Sequence, residues 1–252
     1  MRRLLATFDR RFLGSTVQGY RTRRRMRAFA RASARSVHVY YAGRENRSLL
    51  HRLCMEFGTD KGGIDSNERP FRWTPHLYAD AYELLLGEKR ATVQAVFELG
   101  IGTNNPERAS NMTSTGIPGA SLRVWEEYFP NAKIVGADID PSCLFSSDRI
   151  VTRQVDALSP VSISRLWSDF PDFRFDLMID DGLHTADSIL VFLRHSIQKL
   201  APGGMYVIED VETSELSRVH NALADLGLQH FTIQFGRHDR FTQNHCMVVA
   251  FG

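Results

Sequence analysis

The chain has 252 residues, 43% hydrophobic and 24% charged, with a formal net charge of +2, an ordinary globular composition with room for one α/β domain and an extension. No run of about 18 apolar residues occurs, so no membrane span is expected. The cysteines Cys54, Cys143 and Cys246 are too few and too badly spaced for a disulfide framework or a zinc site, which points to a reducing, cytoplasmic setting.

Charge is unevenly placed. Residues 1–47 carry thirteen Arg against Asp9 and Glu45 and read as a basic N-terminal arm; the remainder, 48–252, reads as one catalytic domain. Arg2-Arg3 precede a short apolar stretch, but Asp9-Arg10-Arg11 cuts it too early for a secretory signal. The Arg- and Ala-rich stretch 20–35 has good helix propensity. It is expected to be a solvated helix packing on a partner subunit of a homo-oligomer; the competing reading is attachment to an anionic membrane or nucleic acid surface.

From residue 49 the pattern becomes periodic. Helices are predicted over Leu49–Phe57, ending at Gly58, and over His76–Leu86. Strands are predicted at Val93–Gly100, Lys133–Asp138, Ile150–Val155, Phe175–Asp180, Met205–Glu209, Phe231–Phe235 and Met247–Phe251. Helices near Ala120–Tyr128, Ser162–Phe170, Ser188–Leu200 and Ser214–Leu226 alternate with them. The first five strands are apolar nearly throughout, as strands covered on both faces must be. The expectation is an α/β, Rossmann-like, seven-stranded, mostly parallel sheet with helices on both faces, finished by an antiparallel hairpin across the polar stretch 236–245. Residues 103–119 lack apolar periodicity, and a loop that long beside the first strand reads as a lid over a ligand.

In doubly wound sheets ligands sit at the carboxyl ends of the strands, at the switch point. Glu98-Leu99-Gly100-Ile101-Gly102 ends the first strand there, and its glycines let a ligand approach the backbone. The third glycine that a dinucleotide pyrophosphate wants is absent. Asp138 ends the second strand and is placed for ribose hydroxyls; Asp156, ending the third, is placed for an adenine amino group. Each could instead be an ordinary helix cap or turn acid. Taken together, the three acids and the glycines favour S-adenosylmethionine.

Asp181 and the pair Glu209-Asp210 follow the fourth and fifth strands. Three carboxylates converging there repel one another unless a cation intervenes, and oxygen ligands favour Mg²⁺, Mn²⁺ or Ca²⁺ over zinc. Such an ion has a use, because a sugar hydroxyl has a pKa near that of bulk water, about 16, and needs acidifying before it can attack a sulfonium methyl. His184, three residues beyond Asp181, is a suitable general base. Taken alone it is equally a hydrogen-bonded loop histidine.

The motifs Phe57-Gly58-Thr59-Asp60-Lys61, His76-x-Tyr78, Glu98-Leu99-Gly100-Ile101-Gly102, Gly119-Ala120-Ser121-Leu122-x-x-Trp125-x-x-Tyr128-Phe129-Pro130, Ile179-Asp180-Asp181-Gly182-x-His184 and Ile208-Glu209-Asp210 together resemble the metal-dependent sugar O-methyltransferases. That group includes enzymes acting on macrolide sugars and on rhamnosyl or mannosyl groups. The resemblance covers about residues 50–252. It implies Asp181, Glu209 and Asp210 as Mg²⁺ ligands, His184 as base, Asp138 as ribose ligand, and Ser121 beside the cofactor at a helix N-terminus. It also implies a small carbohydrate acceptor, with a short mannoside of methylmannose polysaccharide assembly suiting the length and the Arg-rich composition. Lys61 and His76 receive no role from it. Methylation of a phenol or catechol uses similar metal chemistry and is the alternative. Nucleic acid modification lacks the expected Asn/Asp-Pro-Pro-Tyr/Phe motif. A non-catalytic binding protein would bind neither cofactor nor metal.

Overall fold

The computed structural model describes residues 38–42, 48–62, 71, 73, 75–76, 78–236 and 246–252. The segment after residue 48 opens with helix α1 (Leu49–Phe57), capped by the Ser48 hydroxyl, which accepts from the His51 N–H at 3.2 Å. It ends at Gly58, whose φ of 78° is the left-handed conformation glycine adopts without penalty. Helix α2 (Tyr78–Leu86) follows.

Strands and helices then alternate: β2 (Ala95–Leu99), α3 (Ala120–Tyr128), β3 (Lys133–Asp138), β4 (Ile150–Gln154), α4 (Pro160–Ser168), β5 (Phe175–Asp180), α5 (Ala186–Ser196), β6 (Leu200–Ile208), α6 (Leu216–Asp225), β7 (Gln229–Gly236) and β8 (Cys246–Phe251). The predicted element types are all present over the described residues. Helix α4 begins with Pro160 after the Ser159 cap, and α5 begins after Thr185, which accepts from the Ser188 N–H. Thr185 takes the capping role that would have started this helix at Ser188.

One strand was not predicted. Strand β1 (His38–Ala42) runs parallel to β7 and makes the sheet eight-stranded, so the sheet begins inside the segment read as an arm. Its sequence, His-Val-Tyr-Tyr-Ala, has the β-branched and aromatic content of a strand. The preceding run of arginines hides that signal when composition is averaged. The remainder of the basic arm, 1–37 and 43–47, and the hairpin connection 237–245 lie outside the described residues.

The sheet order is β1-β7-β8-β6-β5-β2-β3-β4, with β8 antiparallel to both neighbours and every other pairing parallel. The chain steps from β2 outward through β3 and β4, then returns to the other side of β2 with β5, so the switch point lies between β2 and β5. Alternation along β2 sends Val96 into a core with Leu50, Tyr82 and Trp125 from α1–α3, and Phe97 into a second core beneath α4–α6. Phe97 lies 5.0–5.7 Å, centroid to centroid, from Trp167, Phe175 and Phe192. By the same alternation Glu98 shares the α1–α3 face with Val96, and Glu209 follows Met205 and Val207 onto that face from β6.

The strand ends are locked to one another by backbone. The Asp181 N–H donates to the Leu99 carbonyl at 2.9 Å and the Glu209 N–H to the Asp180 carbonyl at 2.9 Å. Gly100, at φ 82°, packs so tightly that a Cβ there would lie 2.0 Å from the Asp181 carbonyl oxygen. Gly100→Ala is therefore expected to destabilise the protein by more than about 2 kcal/mol, combining a left-handed backbone with a backbone clash. A denaturant midpoint equal to that of the wild type, at unchanged m-value, would remove this role for Gly100.

Candidate active site

The carboxyl ends of β2, β3, β5 and β6 open on one cleft of about 500 Å³. Gly100, Gly102, Ser121, Asp138 and Asp156 line one part of it, and Asp181, His184, Glu209 and Asp210 another. Glu107 to Met112, from the loop expected as a lid, form a further wall. That loop is tied down by Met112 N–H to the Thr103 carbonyl at 2.8 Å and by the Asn104 amide to the Gly116 carbonyl at 3.1 Å.

On the glycine side, the two oxygens of Asp138 accept the N–H groups of Ile101 and Asp140, each at 3.0 Å. The carboxylate therefore braces the glycine-rich turn while facing the cleft. Burial pushes its carboxyl up, against those backbone hydrogen bonds. Asp140 is held low, at about 2, by hydrogen bonds from Thr103 and Ser142. Asp156 accepts the Leu158 N–H at 2.9 Å and so also serves as a turn acid.

Glu98 does not reach the cleft. It is 0% exposed, accepts the Trp125 indole N–H at 2.7 Å and a Ser121 hydrogen bond, and turns its other oxygen to Lys61 at 3.4 Å. It sits beneath Trp125, behind the cleft lining rather than in it, where the sequence had grouped it with the cleft residues.

Lys61 is delivered by the turn Asp60–Gly62 that follows the Gly58 cap of α1. Its ammonium is 2.7 Å from Asp181 Oδ2 and 2.5 Å from Glu209 Oε2, in addition to Glu98. Burial alone would lower its pKa, but the Asp181, Glu209 and Glu98 charges raise it well above the ordinary lysine value. Tyr78 and Tyr82, four apart on one face of α2, each give a hydroxyl to one of the adjacent acids. Tyr82 donates to Glu209 Oε1 at 2.6 Å and Tyr78 to Asp210 Oδ1. His76 Nδ1 lies 3.3 Å from the same Asp210 oxygen and stacks on Tyr78. Asp60 accepts the Trp73 indole N–H at 2.6 Å at the cleft edge.

These contacts divide the acids. Both oxygens of Glu209 are engaged inside the protein. Asp181, His184 and Asp210 instead bring one potential ligand atom each to within 4.8 Å of one another. His184 and Asp210 hold positive φ, 59° and 51°, a strained conformation for residues with side chains. His184 Nδ1 is enclosed with no hydrogen-bond partner in the structure. The three-carboxylate set expected from sequence is thus adjacent, but Glu209 must exchange a contact before it can meet an ion. The donor set fits a hard divalent cation, since two carboxylates with free oxygens face the cleft beside an unpartnered imidazole.

From the sequence Lys61 and His76 received no roles, and Tyr78 and Tyr82 fell inside the helix expected over residues 76–86 without a role at the site. Two tyrosines at i, i+4 beside a buried strand end carry a polar signal that hydrophobic periodicity hides.

With a doubly wound sheet, a closing antiparallel strand and a glycine-and-acid cleft at the switch point, the fold is that of a Rossmann-like class I methyltransferase. No protein-family model matches the chain. Curated relatives do, three of which follow. The 8-demethyl-8-alpha-L-rhamnosyl tetracenomycin-C 2'-O-methyltransferase of Streptomyces olivaceus is 30% identical over 165 residues, covering 66% of this chain and 38% of that protein. Demethylmacrocin O-methyltransferase of Streptomyces fradiae is 31% identical over 189 residues, covering 74% and 45%. L-olivosyl-oleandolide 3-O-methyltransferase of Streptomyces antibioticus is 30% identical over 201 residues, covering 76% and 44%. The chain is homologous to these sugar O-methyltransferases and spans less than half the length of each. Among solved structures, MycE methyltransferase from the mycinamycin biosynthetic pathway, in complex with Mg, SAH and mycinamycin VI, superposes with a TM-score of 0.58 at 24% identity, over 82% of this chain and 56% of that one. A putative caffeoyl-CoA O-methyltransferase from Staphylococcus aureus reaches 0.51 at 9% identity, over 81% and 92%. Among the described residues no helix is long and apolar enough to cross a membrane, and the three cysteines are buried free thiols.

Asp180 lies one residue from this cluster but points under α4–α6, beside Tyr206, where burial raises its carboxyl to about 7. The folded state therefore favours the neutral acid. The stability it contributes is complete below about pH 4 and is lost as pH rises through about 7. Asp180→Asn is expected to remove that loss, gaining roughly 2–4 kcal/mol on the wild type between pH 4.5 and pH 8. Parallel stability–pH profiles for the two proteins would contradict the burial of an ionisable group there.

Proposed function

We propose that this chain transfers a methyl group from S-adenosylmethionine to a hydroxyl of a glycoside, with Mg²⁺ held at the strand ends. The observation that carries the reading is the convergence of Asp181, His184 and Asp210 within 4.8 Å at the cleft's open end. The homology to glycoside O-methyltransferases supports it.

Asp138 would hold the ribose of the cofactor, Asp156 its adenine, and Ser121 with the N-terminus of α3 its methionine end. Asp181 and Asp210 would hold Mg²⁺, and Glu209 could join them only by giving up a present partner. When bound, the ion supplies the charge that lowers the acceptor hydroxyl's pKa and fixes its direction. His184 would take the proton of the acceptor hydroxyl, and S-adenosylmethionine when bound would supply the methyl group, its sulfur keeping the electron pair of the broken carbon–sulfur bond. The strained backbone at His184 and Asp210 sets both side chains before substrate arrives. The loop over the cleft excludes water while the methyl moves. Short mannosides and rhamnosides are the acceptors to try first.

Label from methyl-labelled S-adenosylmethionine, offered with a pool of rhamnosides, mannosides and catechols, is expected on a glycoside with Mg²⁺ and on nothing with EDTA. Transfer to catechols alone would replace the sugar reading by the phenolic one. Asp181→Ala is expected to abolish turnover with the thermal midpoint preserved. His184→Ala is expected to lower kcat about 10²–10⁴-fold with Mg²⁺ affinity unchanged; loss of Mg²⁺ binding in that variant would make His184 a ligand in place of a base.

A further inference from the structure

We propose that Lys61 is a resident counter-ion of the carboxylate cluster: its ammonium holds Asp181 and Glu209 together in the metal-free protein and competes with the divalent cation for them. This inference rests on the metal reading above and assigns a positioning residue within the same site.

The geometry is unusual for a lysine. The side chain is 3% exposed, and three carboxylates from three strand ends lie within 3.4 Å of one nitrogen. A single buried charge cannot stay in such a place without opposite charge, and the acids cannot stay clustered without a cation. The acids fall into two groups around it. Glu98 and Glu209, 0% and 1% exposed, turn one oxygen to Lys61 and the other to Trp125 or Tyr82. Asp210 is not paired with Lys61; its Oδ1 accepts from Tyr78 and lies 3.3 Å from His76 Nδ1. Asp181 stands between the groups, giving Oδ2 to Lys61 while belonging to the candidate ligand set with His184 and Asp210.

Two consequences follow. A cation arriving at Asp181 and Asp210 meets the repulsion of an ammonium 2.7 Å from one of its ligands, so Lys61 weakens metal binding. It also draws on Glu209 only by taking that carboxylate from Lys61 or Tyr82. In return the apo site neither collapses nor splays, because one cation is always present. A lysine that merely anchors its turn to the sheet would have neither effect on metal affinity.

The test compares the wild type, Lys61→Met, and the double variant Lys61→Met/Glu98→Gln, in which one buried cation and one buried anion are removed together. Glutamine keeps an acceptor for the Trp125 N–H. Thermal midpoints are measured in EDTA and in saturating Mn²⁺, and Mn²⁺ affinity by electron paramagnetic resonance of the free ion. In Lys61→Met the EDTA midpoint is expected to fall by at least about 4 °C, to recover largely with Mn²⁺, and Mn²⁺ affinity to tighten about tenfold or more. The double variant is expected to regain much of the EDTA midpoint. A midpoint loss of equal size with and without Mn²⁺, or unchanged or weaker Mn²⁺ affinity, overturns the proposal. So does a Lys61→Met protein that fails to fold in EDTA and in Mn²⁺ alike while the double variant also fails. Folding of Lys61→Met only when Mn²⁺ is present is the expected result in its strongest form. If the wild type binds no Mn²⁺, the metal reading fails and takes this inference with it. If the wild type binds and Lys61→Met does not differ, only this inference fails.

Discussion

Charge balance at the ends of three parallel strands is the constraint on which this molecule's working end depends. Parallel strands must finish at the same edge, so residues with polar duties after β2, β5 and β6 are pressed into one corner. Here those residues are Glu98, Asp181, Glu209 and Asp210, and backbone hydrogen bonds from Asp181 to Leu99 and from Glu209 to Asp180 forbid them to spread apart. Unneutralised, the corner would be strongly unfavourable in a low-dielectric interior. Lys61, Tyr78, Tyr82 and Trp125 each supply a donor to it, and His76 Nδ1 lies 3.3 Å from Asp210. Helices α2 and α3 and the turn after α1 thereby each give side chains to the sheet's acidic edge.

That recruitment explains the division of labour between the two faces. Beneath α4–α6 the contacts are apolar and aromatic, centred on Phe97, and serve stability. Above β2, on the α1–α3 face, the aromatic side chains are amphipathic: Trp125, Tyr78 and Tyr82 pack their rings in the core and turn their polar atoms to carboxylates. The same side chains therefore stabilise the fold and hold the carboxylates of the candidate site in place. Perturbing the site's second layer and perturbing the core are, on this face, one act.

The cleft's two halves rest on different physics. The glycine side relies on backbone N–H groups, a braced turn at Asp138 and a helix N-terminus, all of which suit a cofactor with a ribose and a charged amino acid end. The acidic side relies on side-chain charge and on two residues, His184 and Asp210, in strained conformations that the surrounding structure must enforce. Such strain marks places where a side chain's direction matters more than its local comfort. Both residues line the cleft.

Much of this was legible in the sequence because the responsible patterns are local. Apolar runs of strand length, the stop at Gly58, and acids one or two residues past a strand end place elements and candidate ligands without knowledge of neighbours. Topology follows too, since alternating strands and helices leave few ways to wind a sheet. Other features depend on which way a side chain faces once strands are in register. Glu98 pairs with Gly136, so Asp138, two residues further along β3, shares its face of the sheet; only that extra step toward the strand end brings Asp138 to the cleft while Glu98 stays behind its wall. Lys61 lies 120 residues from Asp181 and 148 from Glu209, so no spacing rule could join them. Strand β1 was obscured by the arginines before it, and its pairing with β7 could be decided only by the assembled sheet. The amino-acid sequence by itself determined which residues end the strands, because hydrophobic periodicity is read along the chain. Only the tertiary structure decided which acids are free to meet an ion and which are already held, because that depends on donors brought in from helices distant in sequence.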